Sequence, residues 1–286
     1  MKFTKLHGLG NDYVYVNCFE EDLTGVDLPE LARRVSDRHF GIGGDGLILI
    51  LPSERADFRM RVFNNDGSEA KNCGNGLRCV SKYVFDHGLT EKATFTVETL
   101  GGIMTPVVSL GEDGKVEQVT IDMGEPRFER AAIPMTGIPD EQAREEAIEV
   151  DGEVFTMTAV SMGNPHAIIF VDEVRDEDVV RYGSKIEFHQ WFPERTNVEF
   201  IQILNRKEIL FRVWERGSGV TLACGTGACA AAVAACLSGK TDREVTVHLA
   251  GGDLMIDWRE SDNRVFMTGP ATEVFSGAYM GPIPYK

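Results

Sequence analysis

The chain has no apolar run long enough to cross a membrane. Its longest nearly unbroken run, residues 228–237, is about half of the roughly 20 residues that a bilayer-spanning helix needs. The first eight residues contain no apolar segment of the kind found in secretory signals. We therefore expect no membrane partner and no export, and we expect a cytoplasmic protein.

Positive charge is scarce. Lys and Arg number 29 against 45 Asp and Glu, which gives a formal net charge of −16 at pH 7. No local cluster of Lys and Arg offsets this charge, and a field of this sign repels phosphate backbones. Nucleic acid is therefore not an expected partner, and the acidic residues are typical of a solvated surface.

Cysteine pairs with the spacing Cys-x-x-Cys are also absent. This spacing is typical of zinc sites and of thioredoxin-like redox motifs, so neither is expected and we predict no metal site. The six cysteines lack the density of a disulfide framework, and a reducing compartment would keep them as thiols. Four of them, Cys18, Cys79, Cys229 and Cys236, are interpreted as small buried hydrophobes.

Cys73 and Cys224 differ, because each opens a Cys-Gly-X-Gly turn that runs into an apolar segment. Other landmarks recur in the same order in the two halves. They are Gly10-Asn11 and Gly163-Asn164, Arg61-Val62-Phe63 and Arg212-Val213-Trp214, and Thr96-Val97 and Thr246-Val247, at offsets of 150 to 153 residues. So regular a spacing indicates an internal repeat rather than a coincidence of Gly-rich turns.

Hydrophobic periodicity predicts many strands and few helices. The predicted strands are residues 14–17, 46–51, 58–63, 93–98, 116–123, 167–171, 198–204, 209–214, 244–249, 254–258 and 264–268. The predicted helices are residues 29–36, 74–87 and 225–237. The last is apolar on every side, so it must be buried within a sheet that wraps it.

We therefore predict an α+β fold of two pseudo-symmetric halves, each a curved, mostly antiparallel sheet around a central helix. The active site is expected in the cleft between the halves. Residues 1–120 carry Cys73, and residues 121–270 carry Cys224. The acidic segment 139–150 is interpreted as an exposed connection.

A thiol at a helix start is a candidate acid or base. Free backbone N–H groups and the helix dipole favour the thiolate by about one pKa unit, whereas burial acts in the opposite direction. Gly74 and Gly225 let the backbone approach a ligand, and the following N–H groups can hold a carboxylate. Two such thiols, one resting as thiolate and one as thiol, could invert an α-carbon by removing its proton on one face and returning a proton on the other.

Two further patterns need interpretation, and the first of them leaves two roles open. His166, which follows Asn164-Pro165, either lines the active site or caps a loop. The run from Gly41 to Gly46 resembles a nucleotide-binding loop in composition only. A strand-like segment follows it, whereas a dinucleotide-binding loop needs a helix there.

Longer motifs surround both turns. In the first half they are His7 to Asp12, Asp37-Arg38-His39, and Asn64 to Glu69, which leads to Asn72-Cys73-Gly74-Asn75-Gly76. In the second half they are Gly163 to His166, Thr196-Asn197-Val198, and Trp214 to Gly217, which leads to Ala223 to Gly227. Through these motifs the chain resembles the diaminopimelate epimerase family over essentially its whole length.

The resemblance implies a cofactor-independent enzyme of lysine and cell-wall precursor synthesis that interconverts LL- and meso-diaminopimelate. Cys73 and Cys224 would be the opposed acid and base. The matching substrate-binding positions are Asn11, Asn64, Gly74, Asn75, Asn164, Asn197, Glu215, Arg216, Gly225 and Thr226. Within this set, Gly74, Asn75, Gly225 and Thr226 would hold the reacting carboxylate, and Arg216 the distant one.

The resemblance implies four more features. His166 and Glu215 match polar groups beside the thiols that help with the substrate ammonium group or with proton handling. Gly46 stands where many relatives carry a substrate-contacting Gln. The last strand, within residues 271–286, would return to complete the first half. The expected partners are a small-molecule substrate and a second copy of the chain in a homodimer.

Two other functions compete with this interpretation. A proline-racemase-like enzyme would also use two thiols, but its first motif resembles Cys-Gly-His-Gly, and a cyclic monoacid leaves Arg216 without a substrate partner. A non-catalytic amino-acid-binding module would need the carboxylate-binding groups but no thiols. The presence of both thiols favours catalysis.

Overall fold

The computed structural model describes residues 1–71 and 73–286, so Asn72 of the first cysteine motif lies outside the described residues. The chain divides into two compact units. Unit 1 consists of Met1–Ile121 and Gly269–Lys286, and unit 2 consists of Asp122–Thr268. Each unit combines a sheet with a central helix, so the predicted α+β class with pseudo-symmetric halves is confirmed.

The strands are given in chain order. They are β1 (Lys2–Gly8), β2 (Asn11–Asn17), β3 (Gly46–Leu51), β4 (Phe58–Asn64), β5 (Glu69–Ala70), β6 (Val97–Thr99), β7 (Gly102–Met104), β8 (Val107–Leu110), β9 (Val116–Asp122), β10 (Glu146–Val150), β11 (Glu153–Ser161), β12 (Pro165–Phe170), β13 (Asn197–Asn205), β14 (Glu208–Glu215), β15 (Gly219–Val220), β16 (Glu244–Leu249), β17 (Gly252–Trp258), β18 (Val265–Gly269) and β19 (Thr272–Ala278). The helices are α1 (Leu28–Ser36), α2 (Gly74–Asp86), α3 (Asp176–Glu187) and α4 (Gly225–Leu237).

The sheet of unit 1 has the order β19-β1-β2-β3-β4-β6-β7, with β5 beside β4. Its strands run antiparallel except at β2–β3 and β4–β6. Helix α2 packs on β1, β2, β4 and β19, while α1 packs on β2, β3 and β4. Because β3 is covered on both faces, its sequence Gly-Leu-Ile-Leu-Ile-Leu is apolar throughout.

The sheet of unit 2 repeats this plan in β10-β11-β12-β13-β14-β16-β17-β18, with β15 beside β14. Its parallel pairs, β12–β13 and β14–β16, fall at the places equivalent to those of unit 1. Helix α4 packs on six of its strands, β11 to β14, β16 and β17. Residues 228–235 of this helix are at most 1% exposed, so the prediction of a buried central helix is confirmed.

The interpretation of residues 139–150 as an exposed connection is wrong at its second half. Glu146–Val150 form β10, which pairs antiparallel with β11. Ile148 and Val150 are buried while Ala147 and Glu149 face solvent, a strand alternation that the acidic composition obscures. The sequence analysis also omits α3, although its apolar residues Val179, Tyr182 and Ile186 have helical spacing.

No helix in the described part of the chain combines the length and the apolar character that a membrane span requires.

Candidate active site

Cys73 is the N-cap residue of α2, with extended backbone angles. Its Sγ accepts a hydrogen bond from the Gly76 N–H at 3.3 Å, the role that a hydroxyl or carboxylate oxygen usually has at a helix start. The thiol also faces the Oδ1 atom of Asn11 at 3.7 Å. The sulfur of this half-buried side chain thus has a backbone donor on one side and an amide acceptor on the other.

Asn11 is held beside Cys73 by the tight turn between β1 and β2. The two turn residues, Leu9 and Gly10, have φ angles of 57° and 87°, and a left-handed conformation costs a leucine about 1 kcal/mol or more. This strained turn makes Asn11 the first residue of β2. From there its Oδ1 accepts a hydrogen bond from Asn75 Nδ2 at 3.2 Å.

Asn64 lies at the end of β4, directly opposite Gly46 at the start of β3. Its Nδ2 donates to Ser68 Oγ at 3.0 Å. A Cβ atom on Gly46 would collide with the Phe63 carbonyl oxygen and would lie 2.7 Å from the Tyr13 ring. A side chain at position 46, glutamine included, would therefore require the backbone of β3 or β4 and the Tyr13 ring to shift.

Tyr13 also faces Cys73. Burial raises the pKa of its hydroxyl well above the usual range, and the nearby Cys73 and Asp45 raise that pKa further. Tyr13 therefore keeps its proton at neutral pH and remains a hydrogen-bond donor beside the thiol.

Cys224 is the N-cap residue of α4 and is only 6% exposed. Its Sγ lies 3.7 Å from Thr226 Oγ1. Burial raises the pKa of the Cys224 thiol well above its ordinary value, and the carboxylates Glu215 and Glu199 add to this effect. The Gly227 N–H and the Thr226 hydroxyl act in the opposite direction.

A chain of hydrogen bonds starts from the buried His166 on β12. Its Nδ1 lies 2.7 Å from Glu199 Oε1, and its Nε2 lies 3.0 Å from Asn164 Oδ1. The Nδ2 of Asn164 donates to Thr226 Oγ1 at 3.3 Å. His166 is thus connected to the start of α4 through one amide and one hydroxyl, and it does not merely cap a loop.

Glu215 ends β14 and accepts a hydrogen bond from the Thr221 hydroxyl. Burial raises the pKa of this carboxyl above its ordinary value. The next residue, Arg216, is exposed, and its guanidinium donates to the Glu194 carbonyl oxygen at 3.2 Å. Its backbone N–H donates to Asn197 Oδ1 at 2.9 Å, and Asn197 Nδ2 donates to the Pro165 carbonyl oxygen at 2.8 Å.

Gly74 and Gly225 are the first residues of α2 and α4. In each helix the first intrahelical bond runs to the cysteine carbonyl, from Leu77 in α2 at 2.8 Å and from Ala228 in α4 at 2.9 Å. The N–H groups before these bonds form the type of helix start that binds anions. Each cysteine therefore lies beside a candidate carboxylate site.

All the sequence-predicted site residues fall in one or the other unit, and hydrogen bonds connect Asn11 with Cys73 and Asn75, and His166 with Asn164 and Thr226. In unit 1 they are Asn11, Asn64, Cys73, Gly74 and Asn75, and in unit 2 they are Asn164, His166, Asn197, Glu215, Arg216, Cys224, Gly225 and Thr226. The sequence analysis missed Tyr13, Asp45 and Glu199. Two signals were available: Asp45 is the one charged residue in the run 41–46, and Glu199 interrupts an apolar strand.

Among residues 1–71 and 73–286, no group of three or more His, Cys, Asp or Glu side chains is arranged to hold a metal ion.

A family model and the most similar known proteins that we compared point to the same family. Residues 3–129 and 158–274 match the family described as diaminopimelate epimerase. The diaminopimelate epimerase of Geobacillus thermodenitrificans is 57% identical over 279 residues, which cover 97% of this chain and 96% of the relative. That of Moorella thermoacetica is also 57% identical over 279 residues, which cover 98% of this chain and 99% of the relative.

Solved structures share the fold at much lower identity. A PhzF-family phenazine biosynthesis protein of Bacillus anthracis has a TM-score of 0.67 and 17% identity, with coverage of 97% of this chain and 98% of that one. A hydroxyproline epimerase of Agrobacterium vitis, with bound trans-4-hydroxy-L-proline, has a TM-score of 0.66 and 14% identity, with coverage of 97% and 90%. At these identities the likeness extends to the fold alone.

Proposed function

Because this chain belongs to the diaminopimelate epimerase family, we propose that it interconverts LL- and meso-diaminopimelate without a cofactor, using Cys73 and Cys224 as acid and base. The observation that carries the proposal is the equivalent position of the two thiols, each the N-cap of the central helix of its unit. The identity of 57% to diaminopimelate epimerases supports the choice of substrate. The same identity supports a place in lysine and cell-wall precursor synthesis.

The reaction needs one proton removed and one returned. A thiolate takes the α-proton and becomes a thiol, while the electron pair of the C–H bond moves toward the adjacent carboxylate. The second thiol then donates its proton to the opposite face of the carbon and becomes the thiolate. No electron is gained or lost overall, so the chemistry needs no redox partner.

Stabilising the carbanion is the difficult step. A turnover of about 1 to 10³ per second allows a barrier of only about 13–17 kcal/mol, and an amino-acid α-proton is far less acidic than a thiol. The N–H groups at the starts of α2 and α4 are suited to hold the carboxylate on which the charge develops. Gly74, Asn75, Gly225 and Thr226 have this role in the proposal.

The other predicted binding residues suit a substrate with a second amino-acid end. The exposed guanidinium of Arg216 can form a bidentate pair with the distant carboxylate. Asn11, Asn64, Asn164 and Asn197 supply amide groups for the remaining polar atoms. Glu215 lies close enough to Cys224 to raise the pKa of that thiol, and His166 lies close enough to Glu215 to act on its carboxyl. In the proposal both residues help with proton handling or with the ammonium group.

The decisive experiment follows the α-proton in D₂O. Incubation of LL-diaminopimelate with the enzyme should give meso product with one deuterium at the inverted carbon, detected by mass spectrometry and proton NMR. The single variants Cys73→Ser and Cys224→Ser should each lose epimerisation, because each lacks one of the two proton carriers. No pyridoxal phosphate is added.

The matched control is Cys236→Ser, which changes a cysteine near the end of the same helix α4. It should retain epimerisation. Activity that survives in both thiol variants, or that appears only with pyridoxal phosphate, would contradict the proposal. Racemisation of proline in place of diaminopimelate would favour the racemase alternative, and binding of diaminopimelate without deuterium incorporation would favour a binding module.

A further inference from the structure

Two amide side chains beside Cys73, those of Asn11 and Asn75, are hydrogen bonded to each other between a guanidinium and a carboxylate. These hydrogen bonds connect Arg78, Asn75, Asn11 and Asp45 in that order. We propose that Arg78 and Asp45, at the two ends of this hydrogen-bonded series, are positioning residues that fix the orientation of both amides, so that Asn11 presents its carbonyl oxygen to the Cys73 thiol. The catalytic meaning of this proposal rests on the function proposed above.

Arg78 fixes the first amide. It lies one turn after Asn75 on α2 and is fully buried. Its Nη2 donates to Asn75 Oδ1 at 2.9 Å, and its Nε donates to the Pro270 carbonyl oxygen at 3.1 Å. A guanidinium has donors only, so Asn75 must turn its oxygen toward Arg78 and its NH₂ group toward Asn11.

Asp45 fixes the second amide from the opposite end. Its Oδ2 accepts hydrogen bonds from Asn11 Nδ2 at 2.8 Å and from the Asp12 N–H at 3.1 Å. Its Oδ1 accepts from Arg38 Nη2 at 3.0 Å. An ionised carboxylate has acceptors only, so Asn11 must turn its NH₂ group toward Asp45 and its oxygen away from it.

Both ends therefore impose the same direction. The Asn11 oxygen accepts from Asn75 and faces the Cys73 sulfur at 3.7 Å. If Asn11 rotated by half a turn, its oxygen would face the Asp45 carboxylate and its NH₂ group would face that of Asn75. Two acceptors would then meet at Asp45 and two donors at Asn75, so both hydrogen bonds would be lost.

The direction of Asn11 decides which protonation state of Cys73 is favoured. An acceptor beside the sulfur stabilises the S–H form, whereas a donor there would stabilise the thiolate. The Gly76 N–H already donates to this sulfur from the helix start. The Asn11 oxygen opposes this donor and the Tyr13 hydroxyl, so it raises the pKa of Cys73 relative to a thiol that faces donors alone.

Other ionisable groups also face Cys73 and are common to all the variants below. They are Tyr13 and Tyr15 on β2, and Cys79 on α2. The two tyrosine hydroxyls have pKa values raised by burial, and the same cause raises the pKa of Cys79 to about 12, so all three stay protonated near neutral pH. They therefore do not titrate in the range of the measurement.

The test measures the Cys73 thiol directly in the full-length protein. The rate of iodoacetamide alkylation of Cys73 is followed against pH by peptide mass spectrometry. Asp45→Asn replaces a pure acceptor with a group that can also donate, which frees Asn11 to rotate. The apparent pKa of Cys73 should fall by about one unit, which means roughly tenfold more thiolate below that pKa.

Asp45→Glu keeps the acceptor and should preserve the parent profile. Asp22→Asn makes the same chemical change at an exposed turn of the same unit, where the carboxylate accepts from the Thr24 N–H, and it should also match the parent. Circular dichroism identifies any variant that has not folded. An unchanged or raised Cys73 pKa in folded Asp45→Asn would overturn the proposal.

A double-mutant cycle separates orientation from simple loss of charge. In an Asn11→Ala background there is no amide to orient, so Asp45→Asn should have no further effect on the Cys73 pKa. A shift that persists undiminished in that background would show that Asp45 acts by charge alone, and it would overturn the proposal. Alkylation requires no turnover, so these outcomes are independent of whether the protein epimerises diaminopimelate.

Discussion

Cys73 and Cys224 have the same position in matching helices but different surroundings. Cys73 is half-buried and faces an amide oxygen and two protonated tyrosines. Cys224 is buried and has the carboxylates Glu215 and Glu199 nearby, which raise its thiol pKa. The two thiols therefore depend on different neighbours for their protonation state.

Glu215 gives a pH-dependent prediction. Burial raises its pKa above the ordinary 4.5, so the folded protein binds this proton more tightly than the unfolded chain does. The stability from that proton is fully present below pH 4.5 and is lost as the pH rises through the raised pKa. Glu215→Gln cannot ionise, so the difference between its free energy of unfolding in urea and that of the parent should grow in favour of the variant as the pH rises from 4.5 to the raised pKa.

The same variant should lose roughly 10²-fold in epimerisation, because the carboxylate beside Cys224 is part of the proposed proton handling. Glu260→Gln, an exposed turn residue of the same unit, is the control and should leave both activity and the pH profile unchanged. A stability difference that does not vary with pH would show that Glu215 ionises in the folded protein as it does in the unfolded chain.

At the scale of secondary structure, the elements that carry the cysteines could be predicted from sequence and several others could not. α4 and β3 were predicted with the bounds that the structure shows, because each is a continuous apolar run. β1 was missed because Lys5 lies at a buried position, which its ion pair with Asp12 at 2.6 Å makes tolerable. A buried charge looks like a surface residue until its partner is known.

Dependence on a partner elsewhere in the fold also explains which site residues could be predicted from the sequence and which could not. Cys73, Asn11 and their equivalents in unit 2 lie in turns whose glycines mark them in the sequence. Glu199 lies in the middle of a strand, and its role depends on His166 from the neighbouring strand β12. The pairing of those strands is a property of the tertiary fold, so the local pattern could not reveal it.

Two glycines at the start of α4 give a prediction for this element. A Cβ atom on Gly227 would lie 2.6 Å from Glu199 Oε1 and 3.2 Å from the Cys224 sulfur, both in the buried interior. A Cβ atom on Gly225 would meet Met267 Sδ at 3.0 Å, and that side chain is flexible. Gly227→Ala should therefore lower the free energy of unfolding by about 1–3 kcal/mol.

Gly225→Ala is the matched control, because it makes the same change two residues earlier. It should alter the free energy of unfolding by less than about 1 kcal/mol, since alanine favours the helix and the contact can relax. Urea unfolding at neutral pH compares the two. Equal losses in both variants would mean that the cost comes from the helix start itself rather than from crowding of Glu199.

At the scale of the whole molecule, the chain contains two copies of one sheet-and-helix unit, and the first copy is discontinuous in sequence. Strand order, parallel pairs and central helix correspond between the units, at sequence offsets of 150 to 153 residues. Unit 2 is a single continuous segment, Asp122–Thr268, whereas unit 1 takes Gly269–Lys286 from the end of the chain. Unit 1 therefore depends on residues that join it only after all of unit 2 has been synthesised.

Removal of residues 269–286 should destabilise unit 1 selectively. β19 pairs along β1 from Lys2 opposite Ala278, and the Phe3 and Phe275 rings are in edge contact at 5.8 Å. Without β19, β1 becomes an edge strand, and the buried Arg78 loses the Pro270 carbonyl as an acceptor. Hydrogen exchange of a 1–268 chain should show amides of β1 and α2 losing protection, while those of β11 to β14 keep theirs. The full-length chain is the reference, and equal loss of protection in both units would show that unit 2 has no independent stability.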